Sequence, residues 1–154
     1  MEIKIIRENK KQFIDLLLLA DEQESMIDRY LERGELFALY DGAVKSICVV
    51  TREGDGVFEL KNLATDPPCQ RQGYGGKLVR HVCEHYSRYG HTMLVGTGDS
   101  PLILPFYERL GFAFSHRVKD FFTLHYDHPI CDNGVLLEDM VYLKKTLSQA
   151  RSGT

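Results

Sequence analysis

The chain has 154 residues, 44% of them hydrophobic and 27% charged, the proportions of an ordinary globular domain rather than a disordered or fibrous chain. A net charge of −3 and a pI near 6.1 give no general basic field for nucleic acid or an anionic membrane. At this length folding buries roughly 70% of the surface an unfolded chain exposes, so a core can form without staples or metals. A single domain over residues 1–147 is expected, with a frayed tail at 148–154. Cys48, Cys69, Cys83 and Cys131 form no C-x-x-C pair, and the N-terminus lacks the apolar run of a signal peptide or membrane span. Free thiols and a cytoplasmic location are therefore expected.

Residues 2–7 alternate charged and apolar positions as a strand does. Phe13, Leu16, Leu17 and Ala20 then recur at helical spacing behind Asn9, which is expected to cap that helix. A second amphipathic segment puts Met26, Ile27, Tyr30 and Leu31 on one face and stops at Gly34. Strand-like runs at 35–40 and 43–51 are joined by Asp41-Gly42, the turn chemistry of a hairpin, and a further strand is expected at 57–65. In that strand Phe58 and Leu60 share one parity and Leu63 has the other. A bulge near Lys61-Asn62 would return Leu63 to the same face, and an uneven strand without a bulge fits the periodicity equally well.

A helix over 73–89 carries Leu78, Val79, Val82 and Tyr86 on one face, and Met93-Leu94-Val95 reads as a short buried strand. Residues 57–96 thus form a β-α-β unit with parallel strands. A further helix ends at Gly111. Pro105 lacks the N–H that the carbonyl of Pro101 would need, so that helix is expected to be kinked or to start near Pro105. Alternation at 112–124 and 135–144 predicts two final antiparallel strands joined by a polar loop from Asp127 to Gly134.

Between the strand at 57–65 and the helix that follows lies Gln70-Arg71-Gln72-Gly73-Tyr74-Gly75-Gly76. A glycine-rich turn entering a helix presents unpaired backbone N–H groups and the positive end of the helix dipole, which together suit an anion such as pyrophosphate. Gly73 and Gly75 let the main chain approach a phosphate, Gly76 keeps the first turn close, and Gln70 and Arg71 add donors at the rim. Two other phosphate loops fail on spacing. Leu78 stands where G-x-G-x-x-G needs glycine and where the P-loop needs Ser or Thr.

What remains, Q-x-x-G-x-G-G, resembles the acetyl-CoA pyrophosphate loop of the GNAT acetyltransferase superfamily. Phe106-Tyr107-Glu108-Arg109-Leu110-Gly111-Phe112 resembles that family's second signature, F-Y-x-x-x-G-F. The segment Asp120–Ile130 is similar to a poorly characterised bacterial subgroup and names no substrate. The resemblance implies an α/β (α+β) fold with a mixed, mainly antiparallel sheet of about seven strands and about four helices, splayed between the fourth and fifth strands. It implies acetyl-CoA as cosubstrate, backbone contacts from Leu63, Ala64 and Thr65 to the pantetheine arm, and Tyr107 as the acid that protonates the departing thiolate. Where the family often has Asn, this chain has Asp99-Ser100, which implies an altered pantetheine or water contact near Ser100. Many relatives are dimers, so a homodimer stands beside a monomer.

Glu59, opposite in parity to Phe58 and Leu60, is the candidate base, since several relatives place a catalytic Glu there; a solvated or ion-paired strand carboxylate is the alternative. The alternative for Tyr107 is a packing aromatic. Asp120 and His125 are further candidates for the acceptor pocket. His125, Asp127, His128 and Cys131 do not repeat a zinc spacing, so no metal is expected. The expected reaction is direct transfer of an acetyl group to a small-molecule or peptide amine. The rival class is a non-catalytic acyl-CoA-binding or regulatory module, and a dinucleotide-binding domain lacks its glycine spacing.

Overall fold

The computed structural model describes residues 1–132 and 134–148, so the expected tail beyond Ser148 lies outside the described residues. In chain order the elements are β1 (Glu2–Ile6), α1 (Ile14–Ala20), α2 (Glu24–Ile27), β2 (Glu35–Asp41), β3 (Ala43–Gly54) and β4 (Val57–Thr65). They continue with α3 (Tyr74–Tyr86), β5 (Thr92–Gly98), α4 (Leu104–Arg109), β6 (Ala113–Val118) and α5 (Phe121–His125). A short pair, β7 (Cys131–Asp132) and β8 (Val135–Leu136), precedes β9 (Met140–Thr146).

Seven strands form one sheet in the order β1-β2-β3-β4-β5-β9-β6, antiparallel except where β4 meets β5. Its inner strands are buried on both faces, which explains their nearly continuous apolar runs. In β2, Phe37 and Leu39 join the cluster under α3 and α4, while Leu36 and Ala38 join the cluster under α1 and α2. All four are fully enclosed, each Leu or Phe contributing about 1.5–3 kcal/mol by burial.

The feature that positions the site is the parting of β4 from β5. The two pair in parallel from Val57 with Thr92 to Leu60 with Val95. Beyond that point β4 continues to Thr65 and β5 to Gly98 without pairing to each other. A bulge coincides with the parting. Val49 faces Asn62 whereas Val50 faces Leu60, so Lys61 is the extra residue. Leu63 accordingly packs into the same cluster as Phe58 and Leu60, as the parity break anticipates.

Several local expectations need correction. Asn9 is left-handed (φ 51°), its side chain makes no cap bond, and its carbonyl instead accepts Gln12 N–H at 3.0 Å to open a 3-10 turn over Lys10–Phe13. The second amphipathic segment is helical only over Glu24–Ile27, although Met26, Ile27, Tyr30 and Leu31 are all buried. Residues 121–125 are helix, not strand, and the polar loop contains the β7–β8 pair. The described residues form five α-helices, against about four expected. The first turn of α4 starts at Leu104 with Pro105 in its opening positions, where a missing N–H leaves no intrahelical bond broken.

Candidate active site

The glycine-rich segment forms the entry to α3. The chain passes through a 3-10 turn at Pro67–Cys69, then Arg71 (φ 64°) and Gly73 (φ 88°), both left-handed, before the helix begins. The first bond of the helix runs from Lys77 N–H to the Gly73 carbonyl at 3.1 Å. The N–H groups of Gly73, Tyr74, Gly75 and Gly76 thus have no partner within the helix. At Gly73 a side chain would meet nothing within 4 Å but would be strained by its positive φ. Gln70 and Gln72 turn back on the loop, donating to the carbonyls of Thr65 and Pro68, each at 3.3 Å. Tyr74 donates to Asp41 Oδ2 at 2.8 Å and ties the loop to the β2–β3 turn. Arg71 is exposed at the rim.

Gly75 joins this loop to the opening between β4 and β5. A Cβ there would lie 3.4 Å from Thr65 Oγ1, 3.7 Å from Phe106 and 4.0 Å from Leu63. The two sequence signatures and the bulged strand therefore converge on one place. Thr65 Oγ1 also lies 3.1 Å from Ser46 Oγ, and Ala64 is buried with its carbonyl accepting the Ser46 hydroxyl.

Tyr107 projects from α4 into the core, with edge-on ring contacts to Phe106 and Phe112. Burial raises its pKa, and the Cys48 thiol raises it further, so the phenol holds its proton. Cys48 is the residue opposite Leu63 across β3 and β4, and it shares a buried cluster with Tyr107. That hydroxyl makes no hydrogen bond to another described residue. Ser100 is fully buried, and its hydroxyl donates to Asp132 at 2.8 Å while accepting Leu102 N–H at 3.3 Å. Its side chain organises the turn before α4.

Glu59 lies on the other face of β4, 6% exposed, with Lys61 Nζ at 3.1 Å and the Tyr142 hydroxyl at 3.5 Å. Burial is the largest influence and raises its pKa above the usual carboxylate value, against the opposing pull of Lys61 and Tyr142. Next to the bulge, Asn62 opens a buried polar chain that the sequence does not announce. Its Nδ2 donates to the Leu17 carbonyl at 3.0 Å and to the Tyr30 hydroxyl at 3.1 Å. Tyr30 donates in turn to Asp21 Oδ2 at 3.1 Å, and Tyr126 donates to Asp21 Oδ1 at 2.7 Å. The direction of this chain fixes the amide orientation and leaves Asn62 Oδ1 as a buried acceptor without a partner among the described residues. Burial raises the Asp21 pKa despite the two phenols.

The same chain fastens the segment after α5 to the α1–α2 connection, with Asp127 N–H on Gln23 Oε1 at 3.1 Å and His128 Nε2 on Glu22 at 3.1 Å. Asp120 heads α5 in a left-handed conformation and donates its N–H to Asp139 at 2.8 Å, while His125 packs against Phe121. Among the described residues no three His, Cys, Asp or Glu side chains converge as a metal ion would require. Nor is any described helix long and apolar enough to cross a membrane. All four cysteines are free thiols.

Comparison with known proteins bears on this arrangement. The family model for the acetyltransferase (GNAT) domain matches residues 32–113. An uncharacterised N-acetyltransferase, YvbK of Bacillus subtilis strain 168, is 34% identical over 146 residues, covering 93% of this chain and 94% of that protein. The crystal structure of a GNAT acetyltransferase from Elizabethkingia anophelis with acetyl-CoA bound superposes with a TM-score of 0.89 at 32% identity, covering 95% of this chain and 97% of that one. An IAA acetyltransferase from Bacillus cereus ATCC 14579 gives a TM-score of 0.88 at 33% identity, over 95% of this chain and 99% of its own. With the family model spanning more than half of the residues and similar proteins aligning over nearly all of them, this chain belongs to the GNAT acetyltransferase family.

Proposed function

We propose that the protein transfers the acetyl group of acetyl-CoA directly to a primary amine, and that the groups around the β4 bulge divide the work. The observation that carries this reading is the convergence at Gly75, where the α3 loop, Leu63 and Thr65 of β4, and Phe106 of α4 lie within 4 Å of one point. A turn bare of side chains, whose N–H groups have no partner within the helix, fits a pyrophosphate with a thin arm running into the parting of β4 and β5. Gln70, Arg71, Gln72, Gly73, Tyr74, Gly75 and Gly76 hold the phosphates in this reading, and Leu63, Ala64 and Thr65 offer main-chain groups to the arm. When bound, acetyl-CoA supplies an activated acyl carbon and a thiolate leaving group.

The chain's own residues supply the rest. Main-chain N–H groups at the bulge polarise the thioester carbonyl, and Tyr107, protonated and without a hydrogen-bond partner among the described residues, gives its proton to the sulfur as charge develops. Glu59 removes a proton from the amine, directly or through one water. Its raised pKa makes it a stronger base than an exposed glutamate.

The test is to incubate the protein with acetyl-CoA and a panel of primary amines, following thiol release and identifying the product by mass spectrometry. An amine-dependent release with an acetylated product is expected. Binding of acetyl-CoA without release across the whole panel would establish the rival reading, a non-catalytic acyl-CoA-binding module.

A further inference from the structure

The two partners of Glu59 meet the same oxygen. Lys61 Nζ and the Tyr142 hydroxyl both approach Oε2, at 3.1 and 3.5 Å. Oε1 has no partner among the described residues, and unlike Asn62 Oδ1 it is not sealed from solvent. The carboxylate is therefore oriented, with one oxygen clamped and the other open.

Tyr142 reaches Glu59 from a strand that does not touch β4. It lies on β9 opposite Gly96 of β5, and β5 stands between β9 and β4. Gly96 makes the crossing possible: a Cβ there would come within 3.0 Å of Tyr142 Cζ and 2.5 Å of Met140 Sδ. The phenol ring thus lies flat across β5 where a side chain is missing. On β6, His116 stacks on that ring with centroids 4.6 Å apart and planes 5° from parallel, which fixes the ring's tilt.

We propose that Tyr142 is a positioning residue for the acetyl transfer: laid across Gly96, it joins Lys61 on Glu59 Oε2 and so presents Oε1 to the acceptor's N–H. The inference rests on the reading of Glu59 as the base. The other charged groups facing Glu59 are Lys61 on its own strand and Glu53 on β3, the latter held by Thr51 at 2.6 Å and Arg33 at 2.8 Å. Glu53 opposes ionisation of Glu59, whereas Lys61 and Tyr142 favour it. The 3.5 Å separation is long for a hydrogen bond, as catalytic contacts often are before substrate binds.

The experiment follows the Glu59 carboxyl by 13C NMR across pH, assigned by its loss in Glu59→Gln, beside the pH profile of kcat/KM for the active amine. Removing a donor from the ionised form must raise the midpoint. Tyr142→Phe, which keeps the ring and its stacking, is expected to raise the Glu59 midpoint by roughly 0.5–1 pH unit and to move the acid limb of the rate profile equally. Gly96→Ala, which retains the phenol but displaces it, should shift both in the same direction. A Glu59 midpoint that stays put in a folded Tyr142→Phe variant overturns the clamp, whatever the rate does. A midpoint that moves while the rate profile does not would leave the clamp standing and remove Glu59 from the role of base.

Discussion

On one face β4 ends beside a loop of bare main chain, and on the other it meets polar side chains. Toward α3 the bulged strand looks at a loop whose value lies in what it lacks: side chains at Gly73, Gly75 and Gly76, and helical partners for four N–H groups. Toward α1 and β9 it looks at Glu59, Lys61, Tyr142 and the Asn62–Tyr30–Asp21 chain, each placed by a hydrogen bond or ion pair. The loop of the first face is contiguous in sequence. The second draws Tyr142 across 83 positions to reach Glu59 and Tyr30 across 32 to reach Asn62. A site built from backbone tolerates many neighbours and persists as a motif, whereas a site built from side chains is set by the partners each fold brings.

The largest effect expected is at Tyr107, which packs on the α3 face of the sheet. Tyr107→Phe should lower kcat by about ten- to a thousandfold while leaving acetyl-CoA affinity within a few fold, as for loss of a general acid. Steady-state kinetics with direct cofactor titration checks this, and full activity would assign the proton to water or another group.

Next in size is the acceptor face. Glu59→Gln should reduce the neutral-pH rate by about tenfold or more and recover as pH rises toward the amine's own pKa, near 10 for a lysine-like acceptor. The sign for the parent protein follows from burial: a raised Glu59 pKa puts the acid limb of kcat/KM above the ordinary carboxylate value of 4.5, with activity falling as pH drops through it. A raised KM with kcat preserved would instead give Glu59 the role of holding the acceptor's positive charge. Superimposable profiles for the two proteins would move the search for a base to Asp120 and His125.

A smaller effect is expected at the bulge itself. Asn62→Leu removes the donor shared by Leu17 and Tyr30, and should cost about 1–2 kcal/mol in denaturant unfolding. Leu17 keeps the Asp21 N–H and Tyr30 keeps its bond to Asp21, so the loss is partial. Unchanged stability would mean that the bulge is held by strand pairing alone.

The same division explains what could be read from the residues. The loop, the β-α-β unit, the hairpin and the bulge are local: Leu63 breaks parity within its own strand, and Asp41-Gly42 announces its own turn. Helix α5 was not legible because its start is fixed by a contact 19 positions away, between Asp120 N–H and Asp139, and the strand-like alternation before it runs on without a break. The cap expected at Asn9 failed because the residue took a left-handed conformation and bonded through its carbonyl. Glu59 could be singled out by parity, but neither Lys61 nor Tyr142 could be named as its partners. Only the register of β5 with β9 shows that Gly96 lets a phenol through.

The most direct measurement of the division is the dissociation constant of acetyl-CoA for Gly73→Asp and Glu59→Gln side by side, by calorimetric titration of folded protein. Gly73→Asp sets a carboxylate and a strained positive φ against the pyrophosphate and should weaken binding by about tenfold or more, whereas Glu59→Gln should bind within about twofold of the parent. Equal affinity of the parent and Gly73→Asp, or a comparable loss in Glu59→Gln, would contradict the assignment of the two faces of β4 to cofactor and acceptor.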